Sequence, residues 1–96
     1  MKLIKVIKSD KPLKKWTAIF KKDDGKEKKI SFGATGYGDY TLHKDKERRE
    51  RYRKRHEKDL KTNDPTRAGY LSYYLLWGNS TSLKKNIQDY KKKFNL

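Results

Sequence analysis

The sequence predicts an α+β fold: a small antiparallel sheet, made of an N-terminal strand plus a β-hairpin, followed by three α-helices. Three observations carry this. Trp16, Ala18 and Phe20 alternate with polar neighbours, as do Ile30 and Phe32 beyond Asp23-Asp24-Gly25, which is the strand and turn signature of a hairpin. Leu83, Ile87, Tyr90 and Phe94 recur at helical spacing, which gives one apolar stripe. Between them Gly69 to Trp77 carries no charge, in a chain otherwise charged at nearly every second or third position. A helix apolar on most sides is central and has neighbours on more than one face.

In chain order, residues 2–8 are dominated by Ile and Val between lysines, which suits a strand. Ser9 to Pro12 is turn chemistry. Within the hairpin two registers compete. A two-residue Asp24-Gly25 loop sets Lys29 opposite Phe20, and the apolar faces miss each other. A three-residue loop with Gly25 left-handed pairs Trp16 with Phe32, Ala18 with Ile30 and Lys21 with Glu27. The second is expected, because a slip of one residue exposes the whole face. The first strand adds a third member, since an isolated hairpin is marginal. An ion pair between Lys21 and Glu27 is expected near the tip.

Residues 33–40 form a glycine-rich loop. Gly33 and Gly38 have the spacing of a phosphate-binding loop, but Asp39 and Tyr40 stand where Lys and Ser or Thr are needed. An ordinary chain reversal is the better reading. The helical part spans 43–94. Residues 43–61 are helical by propensity, and within 44–61 ten Lys/Arg face five Asp/Glu. Tyr52, His56 and Leu60 give that helix a narrow inward edge. Glu47 with Arg51 and Glu50 with Lys54 are spaced for favourable pairs. Arg48, Arg49, Arg53 and Arg55 lack such partners at one or more neighbouring positions and are the cations expected to be free. For the central helix, Asp64 is expected to cap, Pro65 to fill the first turn and Gly78 to end it left-handed. Asn79 to Ser82 starts the last helix, whose Lys84, Lys85, Lys91, Lys92 and Lys93 face outward. Residues 1–33, 33–40 and 43–94 thus read as one basic domain over 1–96.

The formal net charge of +15, over 96 residues with a mean hydropathy of −1.28, exceeds what solubility requires. It points to an anionic partner: a nucleic-acid backbone, an acidic protein surface or an anionic membrane surface. There is no cysteine, so neither a disulfide nor a thiolate metal site can form. His43 and His56 are too few and too far apart for a metal site. No carboxylate pair and no serine with nucleophile-elbow glycines stands out. No catalytic residue, metal, cofactor or small-molecule substrate is expected, and the chain reads as a non-enzyme. No apolar run serves as a signal sequence or a membrane span. Tyr37, Tyr40, Tyr73 and Trp77 are the aromatics able to stack bases, although core packing explains most of them better.

Three blocks occur together: Phe32-Gly33-Ala34 leading to Asp39-Tyr40-Thr41 and His43-Lys44-Asp45; Glu47-Arg48-Arg49 with Arg51-Tyr52 and Arg55-His56; and Asp64 to Leu71 through Leu76-Trp77. In these the chain resembles small basic proteins of unassigned function encoded by large double-stranded DNA viruses of algae and amoebae. The resemblance implies a virion-associated protein, present in the particle and in the host cell during assembly. Joined to the charge, it gives the expected function: a minor capsid or inner-shell protein bridging capsid proteins or an anionic interior through its basic helices. The expected contact residues are Arg48, Arg49, Arg53, Arg55, Lys84, Lys85, Lys91 and Lys92. The alternative is sequence-nonspecific binding of DNA or RNA backbone for genome condensation or packaging.

Overall fold

The hairpin turns at Gly25, whose φ of +88° leaves open space around the missing side chain. Lys22 N–H meets the Lys26 carbonyl at 2.8 Å and Gly25 N–H meets the Lys22 carbonyl at 2.9 Å, so the loop is three residues long. In this computed structural model, which describes residues 1–96, strands β1 (Lys2–Lys8), β2 (Lys14–Lys21) and β3 (Glu27–Ala34) form one antiparallel sheet in the order β1-β2-β3. Trp16 pairs with Phe32, Ala18 with Ile30 and Lys21 with Glu27, the register that keeps the apolar residues together. Lys21 and Glu27 face each other but make no ion pair; both are solvent-exposed near the tip, where water competes for them.

β1 carries a bulge. Leu3 pairs with Phe20 and Lys5 with Ile19, so Ile4 is the extra residue. The bulge shifts the alternation by one, which lets Leu3 and Val6 both pack on the core despite their odd spacing. Across the sheet, Val6, Ala18 and Ile30 make one inward row, and Lys5, Ile19 and Lys29 make an outward one.

The helices pack on the inward face and, at the loop end of the sheet, also close on Gly33, where an added side chain would meet Leu76 Cδ1 at 2.8 Å. A short helix α1 (Tyr40–His43) follows the glycine-rich loop, capped by Asp39, whose carboxylate accepts from Thr41 N–H at 2.9 Å. Helix α2 (Lys46–His56) starts later than the sequence suggested. Asp45 caps it by accepting from Glu47 N–H, and Lys44, with φ +59°, separates it from α1. Beyond His56 the chain tightens into a 3₁₀ segment (Glu57–Thr62) that ends at left-handed Asn63.

The central stretch departs furthest from expectation. Asp64 does not cap a helix. Its carboxylate accepts from Thr66 N–H at 3.0 Å and Thr66 Oγ1 at 2.6 Å, and Arg67 N–H closes the turn on the Asp64 carbonyl. The helix starts only at Ala68. α3 (Ala68–Leu71) then widens into a π-helical turn (Ser72–Leu76), with Trp77 N–H on the Ser72 carbonyl. Nor is Gly78 left-handed. It is required because a side chain there would stand 2.2 Å from the Tyr74 carbonyl oxygen and 3.0 Å from Asn86. The expected burial does hold: Tyr70, Leu71, Tyr73, Leu75, Leu76 and Trp77 are all buried.

Helix α4 (Leu83–Lys93), capped by Ser82, lays Leu83, Ile87, Tyr90 and Phe94 on the core. Buried Asn86 donates to the carbonyls of Leu75 and Ser80 at 2.9 and 2.8 Å and accepts from Ser80 N–H. These bonds satisfy the backbone freed where the π-turn ends. No helix is long and apolar enough to cross a membrane.

Candidate functional site

The arginines of α2 divide into two sets. Arg49, Tyr52, Arg53 and His56 lie at i, i+3, i+4 and i+7, which is one helix face. That face meets the rest of the protein. Arg49 Nε donates to the Gly78 carbonyl at 2.7 Å, its Nη2 to Asn79 Oδ1 at 2.7 Å, and its guanidinium lies 5.3 Å from the Tyr40 ring centre. Arg53 shares Asn79 Oδ1 at 3.1 Å and lies 4.7 Å from the Tyr73 ring. Arg49 and Arg53 are therefore not free: they dock α2 on the end of the central segment. Arg48 and Arg55 are exposed and unpaired, as expected. The pairs Glu47–Arg51 and Glu50–Lys54 are not made; Glu50 meets Arg49 instead, at 2.9 Å.

On α4, Lys84, Lys91 and Lys92 are exposed and unpaired, and Lys85 reaches Asp89 at 3.5 Å. Of the 27 Lys and Arg side chains, only Lys15, Arg49, Arg67 and Lys85 come within ion-pair distance of a carboxylate, leaving 23 without one. The outer face of the sheet, not anticipated from the sequence, adds to them. Lys2, Lys5, Lys21 and Lys29 stand on it with Glu27 as the acidic member. Ile19, 4% exposed without a helix above it, lies between Lys5 and Lys29, so their aliphatic stems shelter it while the ammonium groups reach water. The alternation was visible in the sequence; what was missed is that its second face stays uncovered.

A cleft opens beside α2, between the glycine-rich loop and the π-turn, with a volume of about 340 Å³. Its polar anchor is Lys15, which donates to Asp39 Oδ2 at 2.7 Å and to the Tyr37 carbonyl. Asp39 is 2% exposed, so this ion pair is sheltered from screening. Leu76 and Trp77 line the cleft with Tyr52, which stacks on Trp77 at 4.2 Å with the rings 6° from parallel, and on His56 at 4.2 Å. Burial pushes the Tyr52 hydroxyl up to about 12, the Asp59 charge adding to it and the nearby Ser72 hydroxyl opposing it. Of the four candidate stacking aromatics, Tyr40, Tyr73 and Trp77 are buried, and Tyr37 is 74% exposed. The carboxylates and histidines form no cluster of three or more able to hold a metal ion. His43 Nδ1 accepts from Asp45 N–H at 2.9 Å, while its Nε2 is buried without a partner and its ring sits 5.2 Å from Trp77.

Residues 4–56 match a family of unknown function (DUF5754). The chain belongs to that family. The DUF5754 match spans nearly all of the sheet, the glycine-rich loop, α1 and α2, so it holds Lys15, Asp39, Tyr52 and both sets of α2 arginines. The π-turn and α4 lie beyond it. No curated protein and no solved structure matches the chain.

Proposed function

We propose that this protein is a non-enzymatic structural component of a virus particle, a minor capsid or inner-shell protein that bridges anionic surfaces. The observation that carries the bridging is the placement of unpaired cations on both outer faces of a two-layer domain. Lys2, Lys5, Lys21 and Lys29 stand on the open sheet face, and Arg48, Arg55, Lys84, Lys91 and Lys92 on the helices. A protein basic on one side neutralises a single surface; one basic on both holds two together. The resemblance in the three sequence blocks supports the virion setting. The test is the position of the protein in purified particles. Symmetry-related shell sites between acidic capsid surfaces are expected, and absence from the particle overturns the reading.

The second reading, a nucleic-acid-condensing protein, draws on the same charge. Contacts would be to backbone phosphates and insensitive to sequence. Binding to duplex DNA should then fall steeply with salt, with a log–log slope of roughly −0.9 per phosphate neutralised. Negligible affinity at low salt eliminates it.

A further inference from the structure

Two basic outer faces do not account for the cleft. Its volume of about 340 Å³ stands at the small end of the roughly 300–1,000 Å³ usual for ligand sites. That suits one ring system with its substituent, not a helix or a folded partner. The lining is mostly apolar, and Trp77 and Tyr52 supply aromatic surface.

Tyr37 lies at the mouth of the cleft. It is exposed between Gly36, at φ +83°, and Gly38. A large aromatic held in water between two glycines contributes little to the core and is free to swing. Lys15 fixes the loop through the Tyr37 carbonyl and is neutralised by Asp39, so that carboxylate does not repel an incoming anion. Arg55, exposed and unpaired, lines the same cleft. The π-turn brings Ser72 into the lining beside Tyr52; such turns concentrate at functional sites.

The geometry points to a nucleotide site: one unpaired base lodges in this cleft, Tyr37 closes on its face, and Arg55 takes its phosphate. Stacking on an aromatic ring accepts any base, and a guanidinium binds phosphate through forked, charge-assisted bonds. A paired base inside a duplex cannot enter. The site therefore takes either a free mononucleotide or a nucleotide of a single strand, and it does so whatever partner the outer faces meet.

The full chain is titrated with adenosine monophosphate, adenosine, a short oligo-dT strand and a blunt-ended duplex, while the two indole N–H resonances are followed by NMR. Expected is a shift of the Trp77 signal by the monophosphate or the single strand, with Trp16 unmoved. Saturation by the monophosphate identifies the free nucleotide as the source, and saturation by the strand alone identifies the polymer. Tyr37→Ala should weaken whichever binds about tenfold, the scale of one lost stack, and leave duplex affinity unchanged. Arg55→Gln should reduce affinity for the monophosphate to that for adenosine. An unmoved Trp77 signal at millimolar nucleotide and saturating strand, or unchanged affinity in Tyr37→Ala, overturns the site. Failure of the blunt-ended duplex to bind at any salt concentration removes the nucleic-acid reading of the outer faces and leaves this one standing.

Discussion

Arg49 donates through Nε to the Gly78 carbonyl at 2.7 Å, across 29 residues of chain. The bond ties the most basic helix to the end of the least charged segment. It separates arginines that look alike in sequence: Arg48, one position away, faces water. A hydrogen bond to a charged group contributes about 1.5–3 kcal/mol. Arg49→Ala should therefore lower the melting temperature by on the order of 10 °C. Arg48→Gln should leave melting unchanged and flatten the salt dependence of polyanion binding by about one unit of slope. Equal melting temperatures for the two variants would mean that α2 does not dock as described.

Which arginine did which was legible in part. The stripe was read correctly for Tyr52 and His56; Leu60 packs on the core as well, but from the 3₁₀ segment beyond the helix and not by the helical period. Arg49 and Arg53, which charge alone had assigned to solvent, stand three residues before Tyr52 and His56, whereas the step of four that links the stripe leads back to Arg48, which faces water. Apolar periodicity marks a buried face only where its residues are apolar, and a cation bound to a carbonyl and an aromatic ring leaves no such mark. The hairpin register was legible because only one register keeps Trp16, Ala18, Phe20, Ile30 and Phe32 on one face. The turn at Asp64 and the π-turn were not. Asp-Pro begins a helix and closes a turn equally well, and the choice was made by Thr66, whose N–H and hydroxyl both claim the Asp64 carboxylate. The cleft joins Lys15, Tyr37 and Trp77, too distant in sequence for any spacing rule to connect.

Two glycines should behave oppositely. At Gly78 an added methyl meets the Tyr74 carbonyl oxygen at 2.2 Å, and because that obstacle is backbone the end of the π-turn must move. Gly78→Ala should cost about 3 kcal/mol, the upper range for overpacking. At Gly25 there is open space and only the positive φ opposes a side chain, so Gly25→Ala should cost about 1 kcal/mol. Urea denaturation of both variants measures the difference. The reverse order would mean that Gly78 serves as a flexible stop and not as a point of close approach.

The ion pair of Lys15 and Asp39 sits at the edge of the cleft with Asp39 almost fully buried. Breaking such a pair on one side costs about 3–5 kcal/mol, because the remaining charge stays buried. Asp39→Ala also removes the cap of α1 and falls in this range. Lys15→Met combined with Asp39→Asn keeps a cap acceptor and leaves no unpaired charge. The double variant should be more stable than the sum of its two single changes predicts, with a coupling of about 1–3 kcal/mol. Additive losses in chemical denaturation would show that the two groups do not stabilise each other.

Alkali should unfold the domain through its buried phenols. Burial raises the ionisation of Tyr52 from 10.0 to about 12, and that of Tyr74 and Tyr90 upward as well. A phenol whose folded value lies above its unfolded one favours the folded state while it stays protonated. Its contribution is complete below pH 10 and is lost as pH rises toward 12. Tyr52→Phe keeps the ring between Trp77 and His56 and removes the ionising hydroxyl. Melting at neutral pH should therefore stay close to that of the parent, while the alkaline midpoint moves to higher pH, so the two stability curves diverge as pH rises above 10. Lysines deprotonate over the same interval in both proteins, so their effect cancels in the comparison. Circular dichroism melts from pH 8 to 12 test it; curves that stay parallel throughout would place the Tyr52 hydroxyl in solvent and remove it from the wall of the cleft.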